Sequence, residues 1–476
     1  MPGKPRFLHQ SLTDKIGHMI ESGTLRAGER VPSVRRTATA HGVSLTTAVR
    51  AYLELENRGL IEARPKSGFF VRNRWQDRIA LPAATLPALR ANAAEDKKIL
   101  NLIFEAASRP DIIPLGAACP SPELLPVARL SRLLSRAARE RGAEAISYAM
   151  PPGYEPLRRH IAQRSSDSGC ALGPEEVIIT NGCMDALNLA LQAVAKPGDT
   201  VVVESPVYYG IVEQLANLGL KAVEIPTDPK TGLDLDALET ELKTTRPAAV
   251  LVVSNFSNPL GSCMPDSHKE RLVTLLAKRE IPLIEDDIYG DLVHHGNRPR
   301  TAKSYDRKGL VLLCSSFSKT LAPGYRVGWI CPGRWFEDIK RRQFASTVSA
   351  TAPTQLAIDS FLTEGGYDHH LRAIRRTYAS QVARVSEAVA ECFPEGVRIT
   401  RPEGGFVLWV EMDRRVDAVR LHRESLAENV SIVPGPIFST ARCYGNFIRL
   451  SCGFPWSRKI DQAIAILGHL VKRQMG

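Results

Sequence analysis

From about residue 99 onward, short apolar runs alternate with stretches of helical periodicity, and that alternation restricts the fold more than any other feature of the chain. Val177-Ile178-Ile179-Thr180 precedes a helical pattern from Met184 to Ala195, and Thr200-Val201-Val202-Val203 precedes one from Tyr209 to Leu218. Ala249-Val250-Leu251-Val252-Val253 follows, then a helical pattern over 266–279, then Ile281-Pro282-Leu283-Ile284-Glu285-Asp286. Strands that are apolar throughout are buried on both faces, and helices between them make the crossovers of a parallel sheet. The expected fold of this part is α/β, a mostly parallel central sheet covered by helices. In such sheets ligands sit beyond the carboxyl ends of the strands, so the residues just after each run are the informative ones.

Those residues share a chemical theme. Lys319 lies in Ser315-Ser316-Phe317-Ser318-Lys319-Thr320, after the apolar run Leu310 to Cys314 and before Pro323-Gly324-Tyr325-Arg326-Val327-Gly328. A lysine at the mouth of a sheet can act as a covalent hook, its amine condensing with an aldehyde once its surroundings lower its pKa. Ser316, Ser318 and Arg326 are residue types that hold a phosphate, and an aldehyde carrying a phosphate points to pyridoxal phosphate. Ser316-x-x-Lys319 also matches the acylating motif of penicillin-recognising enzymes, but those carry a Ser-Asp-Asn box that is absent here.

Thr180-Asn181-Gly182-Cys183-Met184 sits between a strand and a long helix, where the amides of Gly182, Cys183 and Met184 would form an anion site; the plain alternative is an ordinary strand-to-helix turn. Tyr208 offers a flat face for stacking on a ring, or a core contact. Asn258, in Ser257-Asn258-Pro259-Leu260-Gly261, can donate into the same crevice. Asp286 ends a buried run in Glu285-Asp286-Asp287-Ile288-Tyr289, and a buried carboxylate is costly unless it meets a cation, such as a protonated pyridine nitrogen. A solvated acidic loop is the alternative. Read together, Asp286 would hold the ring nitrogen, Asn258 and Tyr289 the ring hydroxyl oxygen, Tyr208 the ring face, and Lys319 the aldehyde carbon.

The first 75 residues are different in character. They hold 13 Lys/Arg against 6 Asp/Glu, whereas the remaining 401 hold 49 against 45, so a small basic module is joined to a nearly balanced large one and is expected to meet a polyanion. Apolar residues at Leu8, Leu12, Ile16, Met19 and Ile20 predict a helix from Leu8 to Ser22. Ser33 can cap a second helix through Ala40, and Ser44, after the Gly42-Val43 turn, a third from Leu45 to Arg58. Leu60 to Ala63 and Gly68 to Val71 then flank Arg64-Pro65-Lys66-Ser67 as a two-stranded wing. In this winged helix-turn-helix the third helix would enter the major groove of DNA with Ser44, Thr46, Thr47 and Arg50, while Arg35 and Lys66 would meet phosphates or groove edges. Residues 76–98 lose periodicity and contain two prolines, so they read as a linker that lets the domains sit apart.

Two resemblances sharpen this reading. Leu25-x-x-Gly28-x-x-Val31-Pro32-Ser33-x-Arg35, Gly42-Val43-Ser44-x-x-Thr47 and Glu56-x-x-Gly59-Leu60-Ile61 followed by Ser67-Gly68 resemble the GntR-type winged helix of bacterial transcription regulators, which implies DNA contacts at Arg35, Ser44, Thr46 and Thr47. Leu45 stands where many relatives have arginine or asparagine. Residues 99–476 resemble the class I/II aminotransferases of fold type I through Asn258-Pro-x-Gly, Asp286-x-x-Tyr289, Ser316-x-Ser318-Lys319 and Arg326. That resemblance implies a small C-terminal α+β subdomain. It further implies that Tyr148, in Ser147-Tyr148, reaches the phosphate of a neighbouring subunit in a homodimer with shared sites. Arg449, in Phe447-Ile448-Arg449-Leu450-Ser451, would clamp a substrate carboxylate. Cys183 and Met184 replace the hydroxyl or small residues common in the phosphate loop.

A winged helix ahead of an aminotransferase-like domain resembles the MocR/GntR transcription regulators. The implied function is a regulator that uses pyridoxal phosphate to sense an amino acid, an amine or the cofactor itself, with a double-stranded DNA operator as partner. The alternative is a working aminotransferase with an accessory DNA head. No stretch approaches 18 uncharged apolar residues, and the start lacks the apolar core of a secretion signal, so no membrane partner and a cytoplasmic location are expected. Nine scattered cysteines without Cys-x-x-Cys spacing indicate neither a metal site nor a disulfide framework.

Overall fold

The computed structural model describes residues 8–64, 67–72, 79–83 and 93–476. The N-terminal unit is α1 (Leu8–Glu21), α2 (Val34–His41), α3 (Leu45–Asn57), β1 (Ile61–Arg64) and β2 (Gly68–Val71). Serines start both inner helices: the Ser33 hydroxyl accepts from the Arg36 amide at 3.3 Å, and that of Ser44 from the Thr47 amide at 3.1 Å. Caps of this kind are each worth about 1 kcal/mol. α2 ends on Gly42, whose φ of +61° closes the helix-turn-helix corner in the left-handed region. Leu12, Ile16, Ala48, Tyr52, Leu55 and Ile61 form the core of this unit. Buried Tyr52 is satisfied by the Pro32 carbonyl and by Thr37 Oγ1, 2.8 Å away.

The large unit is built on an eight-stranded sheet. In spatial order it runs β3 (Ile178–Thr180), β10 (Gly328–Cys331), β9 (Val311–Ser316), β8 (Leu283–Asp286), β7 (Ala249–Val252), β4 (Thr200–Ser205), β5 (Lys221–Asp228) and β6 (Gly232–Leu233). The five strands from β9 to β5 are parallel, as the alternation of runs predicts. β10 lies antiparallel between β3 and β9, and β6 antiparallel to β5. Val201, Leu251, Ile284 and Leu312 are fully buried beneath helices on one face, and Val202, Val250 and Leu283 on the other. Burial of each such side chain contributes about 1.5–3 kcal/mol.

A second, antiparallel sheet follows, in the order β11 (Arg398–Ile399), β12 (Val407–Glu411), β14 (Phe447–Ser451) and β13 (Val433–Pro434). It packs on the helices Tyr367–Cys392 and Arg458–Met475 through Val389, Leu408, Ile464 and Leu467, making the C-terminal α+β subdomain. The connection differs from the expected free spacer. A helix, Ala93–Ser108, takes up the last six residues of 76–98. Ile79 is only 9% exposed, its carbonyl accepts from Arg401 Nη2 at 2.9 Å, and the Ala80 carbonyl accepts from the Ile399 amide at 3.1 Å. Ile79 has found a core, and with these two bonds to the backbone it pins the stretch beside β11. Among the described residues no helix is long and apolar enough to cross a membrane.

Candidate functional site

The carboxyl ends of β8 and β9 open into a cavity of about 320 Å³. β8 runs Leu283 to Asp286 with all four residues buried, so the chain carries Asp286 to the rim without exposing it. Asp286 Oδ1 accepts from the Ile288 amide at 3.0 Å and from the Cys183 thiol at 3.4 Å. Burial nevertheless raises its pKa from 3.8 to about 6. The group is a desolvated carboxylate that gains from a cation placed against it.

Lys319 follows β9, and its Nζ donates to the Ala118 carbonyl at 2.6 Å. Burial lowers its pKa below that of an ordinary lysine, and nearby Arg449 pushes the same way. A lowered pKa raises the fraction of neutral amine, the form that attacks a carbonyl. Burial raises the phenol pKa values of Tyr289 and Tyr208, so both are neutral hydroxyl donors.

Arg326 holds the left-handed conformation at φ +52°, which turns its guanidinium back over the start of the helix Cys183–Val194. Its Nη2 donates to the Asn181 carbonyl at 3.0 Å and its Nη1 to Ser318 Oγ at 3.5 Å. That helix begins at Gly182 (φ +88°) without a side-chain cap, so its first amides have no side chain covering them. A Cβ on Gly182 would lie 2.2 Å from Arg326 Nη2, and one on Gly328 would lie 2.5 Å from the Gly182 carbonyl carbon. Two glycines thus clear an anion cup bounded by one arginine and a helix N-terminus.

Arg449 sits mid-strand in β14 between Trp409 and Val433 and is fully buried. Its Nη1 donates to Asn258 Oδ1 at 3.3 Å and its Nη2 to the Gly116 carbonyl, while Nε has no partner. A buried guanidinium with a donor left over suits an incoming carboxylate. The cup, the carboxylate, the amine and this orphaned donor together fit an aldehyde-bearing pyridine phosphate with an amino acid beside it.

Of the residues singled out from sequence, Lys319, Asp286, Tyr289, Asn258, Tyr208, Cys183, Met184, Ser318 and Arg326 line the one cavity. Gly182 lies under Arg326, and Arg449 behind Asn258. Ser316 is not on the cavity wall; its Oγ accepts from the Ser318 amide at 3.2 Å. Tyr148 is 74% exposed and outside the cavity. Arg35, Ser44, Thr46 and Arg50 are exposed on α2 and α3, Thr47 is half-buried, and Lys66 lies outside the described residues. Ser44 Oγ is occupied with the Thr47 amide and hydroxyl, so its first task is the cap.

Sequence reasoning missed the loop Gly116-Ala117-Ala118-Cys119, Tyr209, and Ser431-Ile432, all of which line the cavity. Their one signal was Gly116, where a Cβ would lie 3.1 Å from the Ile432 carbonyl carbon. It also missed that the Cys183 thiol bonds Asp286. The Lys-Thr-Gly box that penicillin-recognising enzymes also carry, not found in the sequence reading, is present as Lys230-Thr231-Gly232; it runs from a turn into the first residue of β6 and does not line the cavity.

Comparison with known proteins agrees with this geometry. Residues 114–467 match the family "Aminotransferase class I and II", and residues 8–71 match "Bacterial regulatory proteins, gntR family". The chain is 39% identical to YjiR and 37% identical to YdcR, both described as uncharacterized HTH-type transcriptional regulators of Escherichia coli K12, over 98% of this chain and 99% of each of theirs. LysN, the alpha-aminoadipate aminotransferase of Thermus thermophilus solved with N-(5'-phosphopyridoxyl)-L-leucine, superposes with a TM-score of 0.74 at 29% identity, over 80% of this chain and 97% of that one. This fold, with a neighbour that carries a pyridoxyl phosphate, supports pyridoxal phosphate as the cofactor. The chain belongs to the MocR/GntR-type regulators, in which a gntR DNA-binding head is fused to a class I and II aminotransferase domain.

Proposed function

We propose that this protein is a pyridoxal-phosphate-dependent transcription regulator whose large domain senses an amino acid, an amine or the cofactor itself. The observation that carries the reading is the convergence of Lys319, Asp286 and Arg326 on one cavity in a chain whose head also leaves Ser44, Thr46 and Arg50 exposed along α3 and its cap. When bound, pyridoxal phosphate supplies an aldehyde that captures amines and a ring that accepts electrons. Lys319 is the amine that bonds the aldehyde carbon, helped by a pKa that burial lowers. Asp286 pairs with the ring nitrogen and is relieved of part of its burial cost. Asn258 and Tyr289 orient the ring hydroxyl oxygen, and Tyr208 covers the ring. Arg326, Ser318 and the amides from Gly182 to Met184 hold the phosphate, with Ser316 bracing Ser318. Arg449 receives the carboxylate of an amino acid ligand.

Exposed Tyr148 reaches the phosphate of a second copy, which makes the working unit a homodimer with shared sites. On the head, Ser44, Thr46, Thr47 and Arg50 face the major groove of a double-stranded operator, and Arg35 and Lys66 meet its backbone or groove edges. Ligand capture acts on DNA affinity if it favours one arrangement of head and large domain over another, by an amount equal to its differential affinity for the two.

The test is a visible spectrum of the purified protein before and after borohydride, with mass mapping. The expected result is a visible band that borohydride bleaches and a pyridoxyl adduct on Lys319. Protein that stays colourless when the vitamer is supplied refutes the reading. A second reading, a working aminotransferase with an accessory DNA head, is favoured by Lys319 on the cavity wall with Arg449 just behind Asn258. Fast multiple turnovers with amino donors and 2-oxo acids decide for the enzyme; slow single turnovers with ligand-dependent DNA binding decide for the regulator.

A further inference from the structure

Between the winged unit and the large domain lies a second cavity of about 1040 Å³ that shares no lining residue with the cofactor cavity. Its walls come from both units. The head supplies Arg30, Arg64 and Phe70, and the large domain supplies Lys230, Arg376 and Arg401. Five permanent cations face two acids, Glu29 and Glu403. Arg64 is paired with Glu62 at 2.7 Å and lies over the Phe70 ring at 4.5 Å. Among the described residues Arg30, Lys230 and Arg376 form no ion pair. Burial and then the field of Arg64 lower the pKa of His295, which packs edge-on against Phe70 with ring centroids 6.0 Å apart. The histidine is therefore neutral near pH 7 and adds no charge of its own to the cluster.

Like charges brought together from two domains repel across the cleft unless something negative sits between them. The volume lies just above the range of about 300–1,000 Å³ ordinary for small-molecule sites, room enough for a polyanion with its water. We propose that this cleft binds a multiply charged anion carrying two or more phosphate or carboxylate groups, bridging Arg30 of the head to Arg376 and Lys230 of the large domain. The site adjoins the cofactor cavity's supports. Gly261 and Cys263 on its wall follow Asn258 in the same loop, and His294 and His295 follow Tyr289. A Cβ on Gly261 would lie 2.6 Å from Pro402 Cβ, so the walls are in close contact and a shift of one is felt by the other. An anion held here reads the position of the head and bears on the loops that carry Asn258 and Tyr289.

Calorimetric titration of inorganic pyrophosphate into the full chain tests this, in about 0.15 M salt so that diffuse attraction is screened. Saturation with pyridoxal phosphate beforehand fills the phosphate cup; a chain that does not take up the vitamer is titrated as it stands, which keeps this test independent of the cofactor reading. One site per chain is expected. Arg30→Ala on the head and Arg376→Ala on the large domain should each weaken binding at least fivefold, and Arg376→Lys should recover most of the loss. Lys243→Ala and Lys278→Ala, exposed lysines outside the cleft, should leave the affinity within twofold. No binding by the unmodified chain up to millimolar pyrophosphate overturns the proposal. So does an Arg30→Ala or Arg376→Ala chain that binds within twofold of the parent, because a bridging anion needs both walls.

Discussion

Replacing Asp286 by asparagine should make the cofactor-free protein more stable while removing its ability to hold the cofactor. The carboxyl is buried at the end of β8, and burial lifts its pKa from 3.8 to about 6. Between those values the folded state binds the proton more tightly than the unfolded state, so stability is lost as pH rises through the window. A carboxyl pKa raised by about two corresponds to about 3 kcal/mol of penalty, fully present above pH 6 and about half present at pH 5. Asparagine keeps an oxygen for the Ile288 amide and carries no charge, so it escapes the penalty. For a domain of this size about 3 kcal/mol is a rise of roughly 3–6 °C in Tm, an upper limit because the pocket can relax. The assay is thermal unfolding of cofactor-free parent and Asp286→Asn at pH 8 and pH 5, compared as the difference between the two proteins at each pH; other titrating groups are common to both and cancel. A gain at pH 8 that shrinks toward pH 5 is expected. A gain of equal size at both pH values, or a loss at pH 8, would falsify the claim that the cofactor-free protein carries the desolvation cost of an ionised Asp286.

Other outcomes follow from the same geometry. Gly182→Ala places a Cβ 2.2 Å from Arg326 Nη2 at a φ of +88°, and equilibrium dialysis should show cofactor affinity falling at least about tenfold. Arg449→Lys loses the planar two-pronged donor and should weaken amino acid ligands by about 10–100-fold, read from spectral titration, with the visible band of the unliganded protein intact. Capture of the cofactor by Lys319 should reach half its maximal rate at a pH below 10.5, because burial lowers the amine's pKa; a stopped-flow profile with its midpoint at or above that value contradicts the burial argument. Ser44→Ala should cost the head about 1 kcal/mol through loss of the α3 cap, visible as a lower melting point of the head's helical signal.

The parts of this molecule that sequence reveals are those where a local rule and the tertiary fold agree. Val201–Val203 of β4, Ala249–Val252 of β7 and Leu283-Ile284 of β8 are apolar on both faces because helices cover both, so their runs are readable without a partner in view. The caps Ser33 and Ser44 are equally plain because an orphan amide three residues on needs an acceptor. β10 was not legible: Gly-Trp-Ile-Cys is only four residues long, and its antiparallel sense depends on where β3 and β9 already lie. The Gly116–Cys119 loop was invisible for another reason. It contributes a carbonyl and a surface, not a charged or catalytic side chain, and backbone acceptors leave no mark in a sequence. The interdomain cleft was hidden too, since Arg30, Lys230 and Arg376 are far apart in the chain and each alone reads as a solvated charge.

Gly328 pairs with Thr180 on one side and with Ser316 on the other. That single residue therefore fixes how far the anion cup stands from the reactive amine, although the two belong to segments some 140 positions apart in the chain. The distance is written in ladder register, which changes only in whole steps, and not in side-chain length, which drifts with each substitution. Substitutions around the cavity that leave this ladder intact therefore keep the cup and the amine at one spacing.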